Sequence, residues 1–229
     1  MWIKICGNTN LDDALMAVAL GADALGFIFA SSRRQVTPAE AAAIVSQLPP
    51  HVEPFGVFDV QTATEIASTV ARAGLTGVQL HGTLNTDLVA ELSALLEPNI
   101  CLMQTVAWPV ADRTAAEQVR QQLEHIDRLP DIGRVMLDSR VGPVSGGTGV
   151  AFRWSEAAEA FRETTLPDQL VLAGGLRPEN VAAAITTLRP WGVDVATGVE
   201  QRPGRKDHQK LKLFIENARV AAESNASKS

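Results

Sequence analysis

Short apolar runs alternate with amphipathic stretches along almost the whole chain, and the alternation predicts a repeated strand–helix unit. Trp2–Ile5 opens it as a buried strand that delivers Cys6 and Gly7 at its C-terminal end. Asn10 then caps a helix over Leu11–Leu20, with Asp12 and Asp13 in the first turn where the helix dipole favours anions, and Gly21 closes it. Ala24–Phe29 is an uninterrupted apolar run, the signature of a parallel strand covered on both faces. Thr37-Pro38-Ala39-Glu40 combines a capping box with proline at the first helical position, and Thr62 with Glu65 forms a second capping box for a helix ending near Ala73.

The unit recurs to the end. Further strands are expected at Pro54–Phe58, Gly77–Leu80, Ile100–Val106, Arg134–Leu137, Leu170–Ala173 and Val193–Ala196. Helices fill the intervals: Thr86–Leu96, a helix-prone segment over Asp112–Ile126, Ser155–Arg162, one starting at Pro178, and Asp207–Ala222. The spacing of roughly 28 residues over eight units is close to what an eightfold barrel of about 250 residues needs. An open doubly wound sheet would call for a glycine fingerprint after the first strand, and only Cys6-Gly7-Asn8 stands there. The expected fold is therefore α/β, a single (β/α)8 TIM barrel over residues 1–222, with 223–229 a frayed C-terminal tail.

Composition narrows the class. With 229 residues, 46% hydrophobic and 20% charged, the chain reads as a globular protein with a sizeable core. A formal charge of -6 without a long basic run argues against nucleic acid or an anionic membrane as partner. No export signal or membrane-length apolar run is visible, so a cytoplasmic location and reduced thiols are expected for Cys6 and Cys101. No Walker loop, zinc-spaced cluster or cofactor motif occurs, and neither metal nor cofactor is expected.

In a barrel, chemistry gathers at the C-terminal ends of the strands. Cys6, Arg34, Gln79, His81, Asp138, Gly174-Gly175 and Thr197-Gly198 all fall at such ends or in the loops beyond them. Gly174-Gly175 and Thr197-Gly198, after strands seven and eight, let backbone N–H groups approach a phosphate, although glycine pairs also serve plain tight turns. Asp138 ends an apolar strand, and a carboxyl in a partly desolvated pocket holds its proton and can act as a general acid; a capping aspartate looks the same. Arg34 offers a planar fork to a carboxylate, as Arg33 does. Gln79 and His81 read as strand-end polar groups that order the site. Asp194, a charge within strand eight, has to point into the polar top of the barrel, since the outer helices would not accommodate it. Cys6 stands at the end of strand one, where a thiol is placed for chemistry, although cysteine also serves as a small buried hydrophobe; a lowered pKa there would need a cation such as Lys4, whose direction the sequence does not show. The loop Ser139–Gly149 has the length and glycine content of a lid.

Taken together, these residues resemble the phosphoribosylanthranilate isomerase family. The matching stretches run in order from Lys4-Ile5-Cys6-Gly7 and Gly21-Ala22-Asp23 through Val78-Gln79-Leu80-His81-Gly82 and Leu137-Asp138 to Gly146-Gly147-Thr148-Gly149, Leu172-Ala173-Gly174-Gly175, and Gly198-Val199-Glu200 with Pro203-Gly204 and Lys206-Asp207. The resemblance implies an Amadori rearrangement of N-(5-phosphoribosyl)anthranilate in tryptophan biosynthesis, without a cofactor. Cys6 maps onto the family's general base, Asp138 onto its general acid and Arg34 onto its anthranilate-binding arginine. The chain departs from the family pattern at Gln35, where tyrosine is usual, and at Ala196-Thr197, where a serine pair is usual. The partner so implied is a small phosphosugar substrate, the assembly a monomer or homodimer. Two other readings are an isomerase of histidine synthesis, which pairs two aspartates where Cys6 and Asp138 stand, and a phosphate-binding barrel acting as a ligand sensor.

Overall fold

A computed structural model describes residues 1–110, 112, 114–141, 144–145, 153–160 and 169–226. Eight parallel strands form its centre: β1 (Trp2–Ile5), β2 (Ala24–Ile28), β3 (Glu53–Phe58), β4 (Gly77–Leu80), β5 (Cys101–Pro109), β6 (Ile132–Val141), β7 (Leu170–Leu172) and β8 (Gly192–Val195). Each pairs with its successor, and β8 returns to β1 in register from Trp2↔Gly192 to Ile5↔Val195. The ring therefore has no unpaired edge, and the expected TIM barrel is what the chain forms. Around it lie α1 (Leu11–Ala19), α2 (Pro38–Val45), α3 (Ala63–Ala73), α4 (Thr86–Leu95), α5 (Ala115–Ile126), α6 (Trp154–Ala160), α7 (Val181–Leu188) and α8 (His208–Ala226).

The caps act where the sequence places them. Asn10 accepts from the Asp13 N–H, and Thr37 with Glu40 and Thr62 with Glu65 close reciprocal capping boxes. Several boundaries differ from expectation. β5 and β6 extend past Val106 and Leu137 because they pair with each other as far as Pro109↔Arg140, so their backbone groups stay satisfied beyond the apolar runs. Helix α7 begins at Val181 rather than Pro178: Arg177 O takes the Asn180 N–H in a preceding turn, which Asn180 braces by bonding back to Arg177 N and Gly175 O. Helix α8 runs on to Ala226, past the expected tail boundary, with the Asn225 side chain donating to Ile185 O. The expected lid lies largely outside the described residues, as does the end of the helix expected at Ser155–Arg162. Val144–Ser145 pairs antiparallel with the end of β6.

Strand periodicity sorts side chains between two cores. Ile3, Ile5, Leu25, Phe27 and Leu137 face outward and pack with helix residues such as Ala14, Ile66, Val119 and Phe214. Trp2, Ala24, Phe55, Met103, Met136 and Val171 face inward and fill the barrel. Room for these rings comes from small neighbours: a Cβ on Gly192 would lie 2.9 Å from the Trp2 ring. The inward phase then runs Trp2, Lys4, Cys6 up β1 and Arg134, Met136, Asp138 up β6. Apolar packing at the bottom and chemistry at the top are thus set by one alternation. The ring is also tied shut from outside, since Arg219 of α8 donates to Met1 O, Gly21 O and Asp23. Cys6 and Cys101, both free thiols, sit at opposite ends of the barrel.

Candidate active site

A cavity of ≈ 330 Å³ opens at the C-terminal ends of the strands. Cys6 and Asp138 both line it, one from beyond β1 and the other from β6. Cys6 is 6% exposed, and its N–H extends the β1–β8 ladder by bonding Val195 O at 2.8 Å. Asn8, fully buried, fastens the following turn by donating to Ile5 O and Gly26 O. Gly26 leaves space for the sulfur: a Cβ there would come within 2.6 Å of Sγ.

Beneath the thiol lies a buried charge relay. Lys4, completely enclosed, donates from Nζ to Asp194 Oδ1 at 2.8 Å and to Gln79 Oε1 at 2.9 Å. Gln79 passes its amide on to Thr105 Oγ1. Burial works to lower the Lys4 pKa, but Asp194 and Cys6 outweigh it and hold the ammonium above its usual range. The Lys4 ammonium is therefore retained inside the barrel, paired with the Asp194 carboxyl group. For the thiol the balance falls the other way. Burial pushes Cys6 up; Lys4 and Lys206 pull it down, Asp194 adds to the rise, and the net shift is upward. Lys4 thus does pull the thiol down from two residues away, but desolvation outweighs it.

Asp138 is 8% exposed, and its pKa is pushed up to about 6, first by burial and then by the Asp194 carboxylate, with His81 and Lys4 opposing. At neutral pH it therefore keeps a fraction of its protons, as a general acid must. Two carboxyl groups thus share the mouth in different settings: Asp194 is bonded to the Lys4 ammonium, and Asp138 carries the raised pKa.

On the opposite wall stands Arg34, while Arg33 is exposed. The Arg34 fork does not stand open along its whole edge. Nε and Nη2 grip Glu200 at 2.8 and 2.7 Å, so the side edge of the fork already holds a carboxylate. Glu200 also takes the Gly204 N–H and Lys206 Nζ, and Lys206 Nζ donates in turn to Cys6 O.

The third wall is made by the turns after β7 and β8. Gly174, Gly175 and Thr197 line the cavity, with Gly174 at φ +82° and Gly175 at φ +66°. Gly198 does not line it. A Cβ there would fall 1.9 Å from Leu176 O, so Gly198 lets the two turns lie against each other. Thr197–Val199 makes a single 3-10 turn that starts at the cavity wall.

The cavity thus brings together Cys6, Asp138, Arg34, Gln79, His81, Asp194, Gly174, Gly175 and Thr197, and leaves Gly198 behind it. Glu200, Lys206 and Gly26 were not among the expected site residues. Glu200 and Lys206 stand in stretches that match the family, but as charges beside turn residues, which solvated loops also show, they carried no role of their own. Among the described residues no group of three or more His, Cys, Asp or Glu could hold a metal ion.

Residues 3–217 match the family model of N-(5′-phosphoribosyl)anthranilate (PRA) isomerase. The chain belongs to that family. The PRA isomerase of Trichlorobacter lovleyi is 42% identical over 96% of this chain and 98% of its own. The solved PRA isomerase of Thermotoga maritima superposes with a TM-score of 0.81 at 37% identity, covering 96% of this chain and 99% of that one. A further solved PRA isomerase, in complex with reduced 1-(o-carboxyphenylamino)-1-deoxyribulose 5-phosphate, gives 0.78 at 35% identity with the same coverage. As in the rest of the PRA isomerase family, this is an aldose–ketose type isomerase of tryptophan biosynthesis. No helix among the described residues is long and apolar enough to cross a membrane.

Proposed function

We propose that this protein converts N-(5′-phosphoribosyl)anthranilate to 1-(2-carboxyphenylamino)-1-deoxyribulose 5-phosphate, with Asp138 as general acid and Cys6 as general base. The observation that carries the assignment is one cavity lined by a buried carboxyl with a raised pKa and a buried thiol, from opposite sides of the ring. Family membership supplies the reaction.

Asp138 gives its proton to the furanose ring oxygen; the C1–O bond breaks, and the aniline nitrogen's lone pair closes a protonated Schiff base. That cation acidifies C2, from which the Cys6 thiolate takes a proton to leave an enolamine. Gain of a proton at C1 and loss of one from the C2 hydroxyl complete the ketone. Oxidation at C2 balances reduction at C1, so the chain needs to supply only proton carriers. A thiol of raised pKa is sparsely ionised at rest but is a strong base once ionised. The Schiff-base cation beside it favours the thiolate at the step that uses it.

Substrate binding divides among the walls. Backbone N–H groups of the Gly174–Gly175 and Ala196–Thr197 turns suit the phosphate, and Thr197 offers its hydroxyl. The end of Arg34 directed away from Glu200 suits the anthranilate carboxylate. Asp194 and Gln79, fixed by Lys4, suit the sugar hydroxyls, with His81 beside Asp138. Incubating the purified protein with phosphoribosylanthranilate and following loss of anthranilate fluorescence tests the assignment. Turnover that disappears in both Cys6→Ala and Asp138→Asn is the expected result. Binding without turnover in the wild type would make the protein a sensor instead. A cytoplasmic site of action accords with a biosynthetic enzyme and the two free thiols.

A further inference from the structure

The geometry points to Glu200 as a positioning residue that aims Arg34 at the aromatic carboxylate of the substrate and fixes that grip relative to Cys6. The inference deepens the isomerase reading and rests on it.

A guanidinium has two usable edges, the side edge of Nε with one Nη and the end edge of both Nη atoms. Glu200 occupies the side edge completely: Arg34 Nε reaches Oε1 at 2.8 Å and Oε2 at 3.1 Å, and Nη2 reaches Oε2 at 2.7 Å. Only the end edge is left to meet a planar anion, so the carboxylate sets which way the fork faces. On its other flank the Arg34 stem rests on Gly7, where a Cβ would stand 2.7 Å from Cδ. Gly7 follows Cys6 directly. The arginine is therefore held between the turn that carries the base and the turn that carries Glu200.

Charge gives a second, independent pointer. Arg34 and Lys206 both lean on the Glu200 carboxylate, at 2.7 and 3.3 Å, while Asp13 beyond them answers to Arg205 and His208. Burial lowers the Lys206 pKa while Glu200 opposes the fall, so of the two groups on that carboxylate the guanidinium is the permanent cation, and it is the one that lines the cavity. A monoanionic carboxylate completes the set, whereas a neutral ring does not. Lys206 also donates to the Cys6 carbonyl, so the same carboxylate indexes the fork to the backbone of the base.

The test compares two substrates formed in place from ribose 5-phosphate: one from anthranilate, one from aniline, which lacks the carboxylate. Losing a charged hydrogen-bond partner of this kind corresponds to about a ten-fold to hundred-fold effect. For Glu200→Gln, KM for the anthranilate substrate should rise by that factor, with kcat within about three-fold and no matching rise for the aniline substrate. In an Arg34→Ala background the same substitution should add less than about two-fold, because the fork it aims is gone. Glu200→Asp, which keeps the charge but withdraws it by one methylene, should give a smaller selective rise, and it stands in if the glutamine variant does not fold. Equal losses on both substrates, or a fall in kcat at constant KM, would overturn the inference and leave Glu200 as a structural tie. Wild-type protein inactive on the anthranilate substrate would sink the isomerase reading itself, a distinct result.

Discussion

The two ends of the barrel interior handle charge in opposite ways. At the bottom, Arg134 lies 4.8 Å from the ring centroids of both Trp2 and Trp191 and forks onto Glu53, while Gln169 accepts from its Nε. Charge and rings there are mutually satisfied. At the top, Asp138 has its pKa raised by burial, and Cys6 is kept from ionising by the same cause. One end spends its polar groups on holding the ring closed; the other keeps them unstable enough to exchange protons. The lesson is that stability and reactivity are separated along the barrel axis by only a few side-chain layers.

Removing the proton carriers should show the largest effect. Cys6→Ala and Asp138→Asn should each lower kcat by about 10²–10⁴ while the melting temperature stays within a few degrees. Normal turnover in either would dissolve the contrast. Next in size comes the bottom of the barrel: Arg134→Ala strips three cation–π contacts and leaves Glu53 without its charged partner, at a cost of about 2–3 kcal/mol in urea denaturation. Its kcat should stay within about two-fold. A large kcat loss there would mean that the ends are coupled and not separate.

A smaller change probes the cost of keeping Asp138 reactive. Because its folded-state pKa is raised above the ordinary carboxylate value, the native state binds the proton more tightly than the unfolded chain. Wild-type stability from this group is therefore fully present at low pH and is lost as pH rises towards and through about 6. Asp138→Asn should thus be more stable than wild type at pH 8, by roughly 1–2 kcal/mol, and no more stable at pH 4. Denaturant midpoints at the two pH values decide it. The finest test is the pH profile of kcat/KM. With the acid titrating below the base, the rate should climb to about pH 6, stay level, and fall only above the raised thiol pKa. A descending limb at pH 6 would mean that Cys6 titrates below Asp138.

Much of this was legible before any coordinates, and the reasons differ by residue. The eightfold repeat showed itself because parallel strands are buried on both faces and because Asn10, Thr37 and Thr62 carry local capping chemistry that does not depend on the fold. Cys6, Asp138 and Arg34 stood out by lying at strand ends. The same double burial hid the phase of the strands: Ile3 and Lys4 occupy one apolar run, and only the closing of β8 onto β1 shows that Lys4 turns inward beside Asp194. Gly198 shows how one glycine can answer to two demands, since an anion-binding turn and a close backbone contact leave the same mark in a sequence, and the contact with Leu176 O is the one the structure displays. Glu200 and Lys206 were unreadable as site residues because their partners, Arg34 and Cys6, are brought near only by the final return of the chain.

That return has a temporal side. Because β1 is completed on one flank by β8, a chain emerging from the ribosome must carry its first strand unfinished until the last barrel strand has been made. Until then Lys4 lacks Asp194, and the reactive sulfur lacks the roof of the ring. Helix α8 then latches over the N-terminus through Arg219, so the oldest part of the chain is the last to be sealed.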